Sequence, residues 1–222
     1  SMSEIHIGMT RVPSVQDQGS EQAKAIVENS PLVQRVVNAS RDTSSSQYLF
    51  TPGFSDPLDL IDQLLSKYIE DQTAKADETA QTIETQSSAI AEINRLWGLI
   101  MAETLPNTDP SNNDETGLKN VKISSNPDVY ALDEIDRIIK KDLNDGQGIA
   151  AITGKELSAT KDMKVSYGTL QEYNATMTAY CDTIQVDLDT QQQEFKNIMT
   201  EISSAQEEIR DVRRAIVAIT QG

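Results

Sequence analysis

From Phe195 to Ile219 the apolar residues fall at Phe195, Ile198, Ile202, Ala205, Ile209, Val212, Ile216 and Ile219. Their spacing alternates three and four. That pattern holds one face of a helix against another helix and suits no other element, because a strand alternates every second residue. The seam continues upstream through Gln191, Leu188, Ile184, Tyr180, Met177, Tyr173 and Leu170, with one 4-4 step at Tyr180, Ile184 and Leu188. No proline interrupts the chain from Thr153 onward. The stretch Thr153-Gly154-Lys155-Glu156 has the form of a capping box, so the spacing predicts a helix over 156–220. Gly154 and Gly168 are the points where it would kink or start late.

A second seam lies upstream. It runs Ile61, Leu65, Tyr68, Gln72, Ala76, Thr79, Ile83, Gln86, Ile90, Ile93, Trp97 and Ile100, again with one stutter. Asp56 is placed to cap this helix, Pro57 suits its first turn and Pro106 ends it, giving 57–104. Two matched seams separated by an insert over 105–155 predict an all-α fold, an elongated antiparallel coiled coil of two long helices. Trp97, Tyr173 and Tyr180 read as core. The polar seam positions Gln72, Thr79 and Gln86 either fix register or face water or a third segment. The C-terminal seam is longer and more apolar than its partner. Part of it is therefore expected to lack a partner within the chain, and Phe195, Ile198, Ile202, Ile209, Val212, Ile216 and Ile219 become candidate self-assembly or partner-binding residues.

The insert carries a possible short strand at 118–123 and a helix over 127–144 with Val129, Leu132, Ile135, Ile139 and Leu143 on one face. Residues 1–55 are polar and form a separate, loosely ordered N-terminal region, with 56–222 as the coiled-coil domain. Two short helices are expected in the first region, one near 20–29 and one opened by Ser30 as cap and Pro31 at the first position. Residues 40–57 read as a linker.

Hydrophobic residues make up 37% and aromatic residues 5% of the chain. A core one seam wide needs no more than that. The formal net charge of −16 disfavours nucleic-acid binding, which displaces counterions with basic surface. No run is long and apolar enough to span a membrane, and the N-terminus lacks the basic and apolar regions of a cleaved Sec signal. The one cysteine, Cys181, reads as a buried inert thiol. His6 is the sole histidine and lies far from any seam, so Ser-His-Asp, Cys-His and His/Cys metal sites have no material in the folded part. "NDG" at 144–146 and the turn around Gly117 both fail the calcium-loop spacing. No catalytic, cofactor or metal site is expected.

Three stretches together carry a resemblance: "NPDVYALDEIDRIIKKDLNDG", then "GKELSATKDMKVSYGTLQEYNATM", then the terminal seam. The chain resembles the hydrophilic translocators of type III secretion systems, the EspA/SseB-type needle-extension filament proteins and the broader needle-tip group. The resemblance covers about residues 57–222. It implies a non-enzymatic virulence protein, secreted to the bacterial cell surface through a polar export signal near residues 2–20. It also implies assembly with itself or other apparatus subunits through the C-terminal helix, and a cognate chaperone in the cytoplasm before export. The first helix is more polar than that of the filament group. The long N-terminal region suggests either a chaperone-binding segment or the extra N-terminal helices of tip proteins. The other reading of the same seams is a secreted effector or regulatory module that docks one helical partner.

Overall fold

A computed structural model describes residues 15–41 and 56–221, with side chains placed for 21–39 and 56–221. The export signal, apart from the backbone of 15–20, lies outside the described residues, as do His6 and most of the linker at 40–57. The helices are α1 (Val15–Asn29), α2 (Pro31–Arg41), α3 (Pro57–Thr104), α4 (Ala131–Arg137), α5 (Ala150–Thr153), α6 (Leu157–Asp162) and α7 (Tyr167–Gln221). The strands are β1 (Thr116–Gly117), β2 (Lys122–Ser124), β3 (Val129–Tyr130) and β4 (Lys164–Val165). The two long helices α3 and α7 run antiparallel and pack along their seams.

The chain divides into two compact units, Glu78–Phe195 and the remainder from either side of it. The first unit holds α1, α2, the start of α3 and the end of α7. Leu58, Ile61 and Leu65 of α3 pack with Ala205, Ile209, Val212 and Ile219 of α7, and α2 adds Leu32, Val33, Val36 and Val37. The sequence leaves open whether the N-terminal helices pack on the pair; α2 does. Its start is built as expected. Ser30 accepts a hydrogen bond from the Val33 amide at 3.2 Å, and Asp56 does the same for Leu58 at 3.0 Å at the start of α3.

The second unit surrounds the only tryptophan. Ile93, Leu96, Trp97 and Ile100 of α3 meet Leu170, Met177 and Cys181 of α7, and the insert closes the end with Leu132, Ile135, Ile138, Ile139, Ile149 and Ile152. Ile138 and Ile139 are adjacent yet both buried. A widened π turn over Ile138–Asp142, closed by the Leu143 amide bonding Ile138 oxygen, turns both side chains inward.

Three boundaries differ from the sequence reading. The long helix begins at Tyr167, not at 156, so the insert extends to Ser166. Thr153 ends α5 instead of capping a helix, and Gly154 takes the left-handed conformation at φ 72°. Met163 is extended and buried, and Lys164–Val165 pairs antiparallel with Thr116–Gly117. That pairing breaks the helix before Ser166, whose hydroxyl then accepts from the Thr169 amide at 3.2 Å. The helix expected over 127–144 begins at Ala131, because Val129–Tyr130 is spent on a hairpin with Lys122–Ser124. The strand expected at 118–123 is realised only in part, as β2. Asn120, upstream of that hairpin, caps α4 from outside by accepting from the Leu132 amide at 2.9 Å.

Candidate protein-interaction site

The C-terminal seam is the place the sequence singles out, and in the structure it is mostly covered. Val212 and Ala205 are fully buried, and Ile198, Ile202, Ile209 and Ile219 are at most 7% exposed. Phe195 and Ile216 are half-buried. The expected surplus of unpartnered seam is therefore absent from this conformation. Local sequence could not show the reason: α2 supplies the third wall, and Val33 is as fully buried as Val212. Ile198, Ile202 and the residues from Ile209 to Ile219 lie in the first unit, whereas Phe195 belongs to the second.

Polar contacts fix how the elements of the first unit meet. Glu201 is their hub. It accepts from the Tyr68 hydroxyl at 2.6 Å and from the Gln72 amide at 3.3 Å, and it pairs with Arg35 of α2 at 3.6 Å. Burial, then the bond to Glu201, raises the Tyr68 pKa above the ordinary phenol value. Farther along, Arg213 donates to Asp62 at 2.9 Å. Gln22, Ala25, Ile26, Asn29, Ser30, Glu208 and Asp211 line a shallow hollow where α1 and α2 meet α7.

Two of the polar seam residues of α3 each reach a carboxylate on α7. Gln72 donates to Glu201 within the first unit, and Gln86 donates to Asp187 at 2.5 Å within the second. The step from Gln72 to Gln86 equals the step from Glu201 back to Asp187, two heptads each. Thr79 is buried in the seam between them.

The aromatic seam residues are core. Trp97 is fully buried. Tyr180 is half-buried and donates to Asp145 at 2.9 Å, and Tyr173 reaches the Met163 sulfur at 3.8 Å. Cys181 is buried beside the Met177 sulfur, and burial pushes its thiol up, away from the reactive thiolate. Among the described residues no group of three or more His, Cys, Asp or Glu side chains is placed to hold a metal ion. No helix among them is long and apolar enough to cross a membrane. Comparison of the chain with protein-family models, curated proteins and solved structures finds no match.

Proposed function

We propose that this protein is an exported, non-enzymatic subunit of a bacterial type III secretion apparatus, of the needle-tip class. The observation that carries the reading is the α1–α2 hairpin laid over the C-terminal seam. Within the resemblance, packed helices ahead of the long pair belong to tip proteins and not to filament subunits. The cover also gives the seam two states. Closed, the apolar residues from Ala205 to Ile219 are satisfied within one chain. With α1–α2 displaced, the same residues become a hydrophobic stripe for another apparatus subunit or a chaperone, and a few such anchors carry most of an interface's energy.

Two measurements test it. Removing residues 2–14, ahead of α1, is expected to stop export through a type III system while circular dichroism stays unchanged. Continued export would overturn the proposal. Removing residues 2–41 is expected to convert a discrete species into larger assemblies in sedimentation, and Val212→Asp in that background to reverse the change. A truncated chain that neither associates nor binds an apparatus subunit would favour a one-partner effector instead.

A further inference from the structure

The last turns of α7 carry a surface that the packing of the first unit does not use. Arg210, Arg213, Arg214, Val217, Ala218 and Gln221 line a shallow hollow of about 450 Å³ along the helix. Each of the six is exposed, and Val217, at 49%, is one of the four large hydrophobic residues exposed among the described residues. None is a seam position, and all six belong to the first unit. The face therefore stands on that unit alone, and it is present whether α1–α2 is closed or displaced.

Three arginines stand here against one aspartate, Asp211, in a chain of formal net charge −16. The helix end does not account for them. A helix dipole favours cations only within the last turn, and the last turn of α7 holds no basic residue. Pairing within the unit accounts for one, since Arg213 donates to Asp62 at 2.9 Å. Arg214 reaches Asp211 at 3.6 Å with both side chains mostly in water, a contact worth little. Arg210 reaches only the Gln206 carbonyl of its own helix, at 3.4 Å. Two guanidinium groups thus face solvent one turn apart, with Val217 one turn beyond.

We infer that this face docks an acidic amphipathic helix of a partner protein. Arg210, Arg214, Val217 and Gln221 fall in steps of four, three and four, the period by which one helix reads another. The row spans about 16 Å, enough for three turns of a partner. A guanidinium is a planar fork that grips a carboxylate with two bonds. Carboxylates on the partner's flank meet Arg210 and Arg214, and an apolar residue beside them covers Val217 and Ala218. Charge complementarity also selects against broader anionic surfaces. Nucleic acid and anionic membrane extend well past this face, and the acidic remainder of the chain repels both. A single helix is narrow enough to touch the arginine row alone. The complex is held largely by exposed charges, so it weakens as salt screens them.

The test is fluorescence anisotropy of a labelled three-heptad peptide, leucine at a and d and glutamate at e and g, titrated with the full chain at low salt. The chain as a whole repels such a peptide, so binding reports a local basic face. The expected result is saturable binding that is lost as salt is raised. Arg210→Glu with Arg214→Glu should weaken it on the order of tenfold or more, and the milder Arg210→Gln with Arg214→Gln should weaken it less, in the same direction. Val217→Asp should also weaken it, and Val217→Leu should preserve it. All three positions are exposed, so circular dichroism should not change. No binding of the peptide, or arginine variants that bind it as the unaltered chain does, would overturn the inference. So would equal binding of unstructured polyglutamate, or tighter binding of a duplex DNA oligonucleotide or of phosphatidylglycerol vesicles. The assay needs no secretion apparatus, so its failure and that of the export proposal are read separately.

Discussion

Asp136 holds a largely buried carboxylate whose partners are both local. Its Oδ1 accepts from the Ile149 amide at 2.8 Å, and its Oδ2 pairs with Lys140 at 3.1 Å. Gly148 makes this possible. Its φ of 57° is in the left-handed region, and a Cβ there would lie 2.0 Å from Asp136 Oδ1. Gly148→Ala should therefore push the carboxylate off the loop and destabilise the second unit by about 1–3 kcal/mol or more, read from a urea melt. Gly146, with nothing near its Cβ position, should tolerate alanine. The tyrosines make a second residue-scale prediction. The folded pKa of Tyr180 is raised above 10.0, first by burial and then by the Asp145 carboxylate, and Tyr68 and Tyr173 are raised in the same direction. Cys181 is raised above 9.0 by burial. A raised pKa in an acid means the folded chain holds its proton more tightly. The associated stability is present below the unfolded value and is lost as pH rises through the folded one. The urea midpoint should fall from about pH 9 upward, and Tyr180→Phe should make that fall shallower. An alkaline midpoint indifferent to Tyr180→Phe would refute this account.

At the scale of elements, the heptad track of α3 and its ends at Pro57 and Thr104 were legible because a seam's period is written by burial against one neighbour. The start of α7 was not. Lys155 to Asp162 is helix-compatible by propensity, and what breaks it is the pairing of β4 with β1, residues nearly fifty positions away. Propensity yields to such tertiary pairing. Ser166 was the missed local signal, a cap with Thr169 three residues on. Ser166→Ala should cost about 1 kcal/mol in the melt, whereas Thr153→Ala should leave the start of α7 unchanged in hydrogen exchange. The candidate site was legible in the same partial way. Leu32, Val33, Val36 and Val37 read as a helix face, but a face does not name its partner. Because α2 is that partner, Ile209→Ala should destabilise the first unit by about 2–5 kcal/mol, and half-buried Ile216 should cost less.

On the scale of the whole molecule, the two cores share no residue. Trp97 reports on the second alone, whereas circular dichroism reports on all helices together. A two-state chain would give coincident transitions by both probes. Here Ile209→Ala should move the far-ultraviolet curve to lower denaturant and leave the tryptophan midpoint in place. An equal shift in both would mean that the chain unfolds as one cooperative body.

The first unit is closed by residues from both sides of the second. The ribosome makes the second unit as one continuous run, Glu78–Phe195, which can fold while synthesis is still under way. The first unit has no such freedom. Val33 and Leu65 are made early and must wait for Ala205, Ile209 and Val212 before their core can form. A nascent chain thus passes through an interval in which its leading helices stand open beside an already folded body. The order of translation alone fixes the length of that interval, from the synthesis of Leu65 to that of Val212.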